Sequence, residues 1–326
     1  MSIASYIREI GRGKDGARSL TEAQAHDLMC RVLDRSVTDL EIGAFALAMR
    51  IKGESVAELA GFLSATAERC LPVRPMRPAV VLPSYNGARK LPNLTPLLAL
   101  LLAQHGVPVL VHGPCSDPAR VTSAEIFRGL GLAVARDADD VGHAWSRRGP
   151  VFVATDVLCP PLARLLDVRR VVGLRNPGHT VAKLLDPCRR LLEDGATAAP
   201  RALRVVNYTH PEYGRVLREF AVATHADLML MRGTEGEPVA DPRRAPKLDV
   251  YLAGQLRPAL SQAAREGVLT ELPVLPRAND AATTAVYIQS VVSGEKPAPG
   301  PLARQVECLI GALAAIGRQV PQEQIA

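Results

Sequence analysis

A change of period near residue 80 limits this chain more than any other feature. Before it, apolar residues recur at helical spacing; after it, they come in short β-branched runs. Between the two lies 71–79 (Leu-Pro-Val-Arg-Pro-Met-Arg-Pro-Ala), whose three prolines mark a linker. On the N-terminal side, Thr21 is followed three residues on by Gln24, Thr38 by Glu41 and Ser55 by Glu58. Each pair is a capping box, two side chains satisfying the unpaired amides of a first helical turn. Ile42, Phe45, Ala46 and Met49 recur on one helical face, and Gly53 stands where that helix must stop. Residues 3–70 are therefore expected to form about four helices. A bundle this small does not bury all its apolar faces, so these N-terminal helices are the expected interface of a homodimer.

Beyond the linker, β-branched or apolar runs lie at 79–82, 107–112, 151–155, 170–174, 203–206 and 227–231, with helical stretches between several of them. Two more helices are expected at 280–293 and 301–317. The 232–247 stretch is a loop, by its Gly and Pro content. Strands alternating with helices imply a mostly parallel sheet covered on both faces. The expected fold class is α/β: a small N-terminal helical domain (1–70), a linker (71–79) and a large α/β domain (80–326) with a central, mostly parallel sheet.

Several functions are excluded or disfavoured by residue type. The cysteines at 30, 70, 115, 159, 188 and 308 form no C-x-x-C pair, and no His/Cys cluster has zinc spacing. They are expected to be reduced thiols of a cytoplasmic protein, and neither a metal nor a cofactor is expected. No signal peptide or membrane-spanning run is expected. Ser84 and Ser116 have no His/Asp partner at a recognisable spacing, which argues against a hydrolase triad. His26, His105, His143, His210 and His225 lie in no constellation.

Certain motifs carry a resemblance. Lys52-Gly53-Glu54-Ser55 with Ala57-Glu58-Leu59-Ala60, Gly106-Val107-Pro108-Val109 with His112-Gly113, Val172-Gly173-Leu174-Arg175, the run from Gly178 to Pro187, and Ser293-Gly294-Glu295 occur in that order. In order and spacing they resemble the anthranilate phosphoribosyltransferase family, a branch of glycosyltransferase family 3, over nearly the whole chain. That family holds phosphoribosyl pyrophosphate on a G-T-G-G-D-G loop, whose glycines let backbone amides close around phosphate. The resemblance places that loop on Pro83-Ser84-Tyr85-Asn86-Gly87-Ala88, and the family's N-I-S on Asn93-Leu94-Thr95. One glycine remains and the Asp is gone. The lysine of K-H-G-N is Val111 and its asparagine is Pro114, leaving His112 and Gly113. The magnesium-binding D-E pair falls on Pro238 and Val239, with Glu235, Glu237 and Asp241 as the nearby carboxylates. These positions are degenerate relative to the enzymes. The chain resembles more closely the YbiB-type branch, which shares the transferase fold and dimer. Membership there implies a homodimer that binds DNA and RNA with little sequence preference. The alternative is a working phosphoribosyltransferase or phosphorylase with a remodelled loop.

Charge distribution agrees with the first of these. From Arg164 to Arg218 there are eleven Lys/Arg against five Asp/Glu, an excess equal to the +6 of the whole chain. Most of these cations are arginines, which fork onto phosphates. The candidate nucleic-acid contacts are Arg89, Lys90, Arg175, His179, Lys183, Arg189, Arg190, Arg201 and Arg204. Aromatic residues are 4% of the chain, and Tyr85, Trp145, Tyr208 and Tyr213 are the candidates for base stacking. Phosphate contact is expected to dominate.

Overall fold

The computed structural model describes residues 2–189 and 200–318. All three capping boxes form. Thr21, Thr38 and Ser55 each accept a bond from the amide three residues on, and Gln24, Glu41 and Glu58 reach back. They open helices α3 (Glu22–Leu33), α4 (Asp39–Lys52) and α5 (Val56–Ala67), which follow the short α1 (Ala4–Ile10) and α2 (Gly13–Gly16). Gly53 ends α4 at φ +80°. Lys52 and Glu58 form a buried pair at 2.6 Å, and Glu58 also accepts the Leu20 amide at 2.9 Å. The K-G-E-S motif is thus a corner: it ends one helix, starts the next and ties both to the segment before α3. Phe45 and Phe62 meet edge to face, 5.9 Å between centroids, in the core between α4 and α5.

The chain then alternates as expected: β1 (Ala79–Pro83), α6 (Thr95–Gln104), β2 (Val109–Gly113), α7 (Ser123–Gly129), β3 (Ala133–Ala135), α8 (Ala138–Ser146) and β4 (Val151–Ala154). Three helices follow, α9 (Thr155–Leu158), α10 (Pro160–Val172) and α11 (Gly178–Leu184). Next come β5 (Ala202–Tyr208), α12 (Pro211–Ala223), β6 (Leu228–Arg232), β7 (Leu248–Leu252), β8 (Gln255–Leu256), α13 (Ala281–Val292) and α14 (Gly300–Arg318). The sheet order is β3-β4-β2-β1-β5-β6-β7-β8. It is parallel from β3 to β6 and antiparallel at β6–β7 and β7–β8. Strands β1 and β2 are buried along their whole length, as a sheet covered on both faces requires.

Two expectations are corrected. The 170–174 run is not a strand. It is the last turn of α10, which ends on Gly173 in the left-handed conformation, and a short apolar run does not by itself distinguish the two. Nor is 80–326 one continuous domain. The chain separates into one unit of Met1–Leu71 with Thr155–Pro187 and another of Pro72–Ala154 with Cys188–Ala326. Helices α9–α11 belong with the N-terminal helices, where α10 packs on α3 and α11 on α5. The helical unit is therefore built from two separated stretches of sequence. No helix among the described residues is long and apolar enough to cross a membrane.

Candidate functional site

The degenerate positions converge in the α/β unit at the C-terminal end of β1, in the middle of the parallel strands, where sheets of this kind place ligands. Strand β1 runs out into Ser84, Tyr85, Asn86 and Gly87. Helix α6 begins at Thr95, preceded by Asn93. Helix α7 begins at Ser123, and the loop after β6 supplies Glu235 and Glu237. Gly87 has φ +68°, and a Cβ there would sit 2.9 Å from the Val121 carbonyl oxygen. The one glycine kept in the loop is thus needed for the turn itself. Gly113 is needed for close approach, since its Cβ would lie 1.9 Å from the Ser84 carbonyl oxygen.

These groups enclose a carboxylate. Glu237 is 1% exposed. Its Oε1 accepts the amides of Gly87 at 2.7 Å and Asn86 at 3.1 Å. Its Oε2 accepts the hydroxyl of Thr95 at 3.1 Å and that of Ser84. Ser123 Oγ lies 2.6 Å from Ser84 Oγ, and Asn93 donates to Ser123 at 3.1 Å while accepting the Thr95 amide at 3.1 Å. Burial pushes the Glu237 carboxyl above its ordinary range, and the bonds from Ser84, Gly87, Thr95 and Asn86 pull against it. A second carboxylate sits beside it. Glu235 Oε2 accepts three successive amides, Arg89 at 2.9 Å, Lys90 at 2.8 Å and Leu91 at 3.1 Å. Successive amides on one anion make a nest. Asn86 Nδ2 donates to the Glu235 carbonyl. The side chains of Arg89 and Lys90 are exposed while their amides are held. The third carboxylate, Asp241, pairs with Arg243 at 3.0 Å.

Pro83 and Tyr85 are buried at the same strand end, and His112, one residue before the end of β2, lies opposite Pro83. Burial holds the His112 imidazole down to about 4. Its Nε2 has no hydrogen-bond partner among the described residues, and neither does the side-chain amide of Asn207 on β5. Asn207 carries no sequence signal that would have singled it out, and Glu237 was marked only as a carboxylate near the family's metal pair.

The candidate nucleic-acid contacts separate into groups. Arg175, His179 and Lys183 lie on one segment of the helical unit. His179 is 7% exposed, and its pKa is pushed down to about 3 by burial and then by the charges of Arg175, Arg169 and Lys183. Arg175 and Lys183 are half-buried, and Arg189 is exposed. Arg190 lies outside the described residues. Two of the candidate arginines are less open to solvent than Arg189. Arg204 is 3% exposed within β5, so its guanidinium is not a surface contact. Arg201 is half-buried and pairs with Asp227 at 3.2 Å. Of the stacking candidates, Tyr85 is buried, and Trp145 donates its Nε1 proton to the Val109 carbonyl at 3.1 Å. Sequence spacing also missed a cluster: His26 and Cys30 on α3 come together with Glu68 at the end of α5.

With this geometry, comparison with known proteins is informative. Residues 4–70 match the glycosyl transferase family helical bundle domain. Anthranilate phosphoribosyltransferase from Thermus thermophilus superposes with a TM-score of 0.71 at 22% identity, over 97% of this chain and 90% of that one. The enzyme from Saccharomyces cerevisiae in complex with phosphoribosyl pyrophosphate and magnesium superposes with a TM-score of 0.59 at 12% identity, over 96% of each chain. The fold is that of the anthranilate phosphoribosyltransferases. By sequence, the enzyme of that name from Symbiobacterium thermophilum is 29% identical over 322 residues, 96% of this chain and 86% of the enzyme. The uncharacterized protein YbiB of Escherichia coli (strain K12) is 39% identical over 317 residues, 95% of this chain and 94% of YbiB. The chain belongs to the YbiB family, within the anthranilate phosphoribosyltransferase-like proteins. The amides and hydroxyls suited to phosphate oxygens already hold Glu237 and Glu235, and those carboxylates are used in doing so.

Proposed function

We propose that this protein binds nucleic acid, DNA and also RNA, through phosphate contacts with little sequence reading, and that it does so as a homodimer rather than turning over phosphoribosyl pyrophosphate. One observation carries the reading. In the 84–91 loop the backbone donors that would grip a discrete pyrophosphate are held by the chain's own carboxylates, while the cationic side chains of Arg89 and Lys90 stay exposed. Such a loop offers charge to a polymer of phosphates and no enclosed pocket to a single one. The same-sign charges of Arg169, Arg175 and Lys183 around His179 support it from the helical unit. Exposed Leu40 and Ile51 on α4 and Val171 on α10 support the dimer, being apolar surface that a second copy would cover.

The test is a titration of labelled single- and double-stranded DNA and RNA at several salt concentrations, with phosphoribosyl pyrophosphate and magnesium as competitor. Affinity is expected to fall steeply with salt for every sequence and to ignore the competitor. Replacing Arg89 and Lys90 with Ala should weaken all sequences alike and flatten the logarithmic salt slope by about 1.4 on single strands to about 1.8 on duplex DNA, for two lost phosphate contacts. Salt-independent binding, preference for one sequence, or displacement by the competitor with turnover would overturn the proposal. The last outcome would favour a transferase.

A further inference from the structure

The helical unit brings together three side chains that neither the fold nor the proposed function uses. His26 and Cys30 are one turn apart on α3, so they share a face. Glu68 caps the C-terminus of α5, the helix packed most closely on α3. His26 Nε2 lies 2.6 Å from Glu68 Oε1 and 3.9 Å from Cys30 Sγ. One imidazole nitrogen, one sulfur and one carboxylate oxygen all fall within 4.8 Å of one another. We propose that His26, Cys30 and Glu68 form a binding site for a single zinc-like divalent cation.

The chemistry suits that class of ion. Thiolate with imidazole selects a borderline-soft metal over magnesium or calcium, which take oxygen ligands. In a tetrahedral zinc site, nitrogen and oxygen ligands stand about 3.3 Å apart, and sulfur and nitrogen about 3.5 Å apart, from the usual zinc–ligand lengths. The present spacings lie either side of these values. Glu68, half-exposed at the helix end, supplies the freedom to adjust. The surroundings orient the ligands as well. Arg69 forks onto Asp34 with two bonds of 2.7 Å and hydrogen-bonds Cys30, holding its sulfur toward the site. It also reaches Glu68 Oε2 at 3.4 Å, leaving Oε1 turned to His26. A partner on the far carboxylate oxygen is how metal-ligating carboxylates are commonly held. Solvent reaches Glu68, whose side chain is 52% exposed, so water can complete a fourth position. A cation here would clamp α3 to the end of α5 by bonds stronger than the single His26–Glu68 contact.

The test uses the untagged full chain after dialysis against chelator, titrated with Co²⁺ and followed by absorbance, then with Zn²⁺ by calorimetry. The expected result is one cobalt per chain, with a thiolate-to-metal charge-transfer band and tetrahedral ligand-field bands that zinc abolishes. Cys30→Ser should remove the charge-transfer band, and His26→Asn or Glu68→Gln should each lower zinc affinity about tenfold or more. Cys115→Ser, at another partly exposed thiol, should change nothing. The three ligand variants lie on separate side chains, so far-UV circular dichroism identifies any that fails to fold, and the others still decide. Absence of a tetrahedral cobalt spectrum in the wild type, or one that survives both Cys30→Ser and His26→Asn, would overturn the site.

Discussion

The loop around Glu237 and the segment from Arg169 to Lys183 treat charge in opposite ways. In the loop, two carboxylates are drawn inward and matched by amides and hydroxyls, so the negative charge is satisfied within the α/β unit. In the segment, three cations act together on one buried imidazole and all push it the same way. One region surrounds its carboxylates with amides and hydroxyls, and the other sets three cations around an imidazole whose backbone bond to Asn176 works against them. The difference teaches that, on the proposed reading, losing a small-anion site and gaining affinity for a polyanion are separate events. The first depends on which residues reach the β1 terminus, and the second on cations spread along the chain.

The sharpest way to break this comparison is to remove Glu237. Glu237→Ala leaves four donors without their acceptor in a buried site and should cost about 3–5 kcal/mol of unfolding free energy, measured by urea denaturation. Millimolar pyrophosphate should then restore part of that loss by binding the opened cradle, and should leave the wild type unchanged. Equal stabilisation of both proteins would show that the wild-type cradle is not filled. Glu235→Ala should cost less, about 1–3 kcal/mol, because its partners are three amides at a partly exposed nest. It should also tighten DNA binding by removing a negative charge next to Arg89 and Lys90.

A buried imidazole on each side of the comparison predicts a pH dependence. His179 and His112 titrate near 3 and 4, below the free imidazole. The stability that each contributes is therefore fully present above about pH 6.5 and is lost as pH falls towards those values, with a slope of up to about 1.4 kcal/mol per pH unit for each group. His179→Asn should remove one such slope from a series of denaturation curves between pH 7.5 and 4.5. Lys183→Ala or Arg175→Ala should raise the His179 pKa, read by NMR; no change would mean that these cations do not act together there. The smallest effect is expected at Glu41, whose carboxyl is held down to about 2 by the Thr38 amide, then by Ser2 and the Ile3 amide. Its contribution is present above the ordinary carboxylate value and lost as pH falls through about 2, so Glu41→Gln should slightly lower the melting temperature at neutral pH and make no difference in strong acid.

Local features were legible in the sequence. The capping boxes are fixed by residues three apart, and a fourth, Thr122 with Glu125, forms in the same way. The runs at 79–82 and 203–206 lie within strands, because a sheet covered on both faces demands continuous apolar residues. Strand β3 escaped notice because it is three residues long and partly exposed. The transfer of 155–187 to the helical unit was invisible, since it rests on packing against α3 and α5 far back in the chain. The filled cradle was least legible of all. Ser84 and Glu237 are 153 residues apart, and a carboxylate directly before the family's metal pair suggests a metal ligand more readily than an internal acceptor. Arg204 was misjudged for a related reason: residue type gave its charge, but only the strand register gave its burial.

Glu237 has one more consequence. Joined to the cradle by the backbone, it is a ligand that never dilutes. A free pyrophosphate has to compete with an effective concentration at least in the millimolar range that tethered groups reach, so ordinary fluctuations of a dissolved metabolite leave the cradle as it is. The donors at the end of β1 thereby fix the geometry of their own chain, tying the 84–91 loop to the loop after β6.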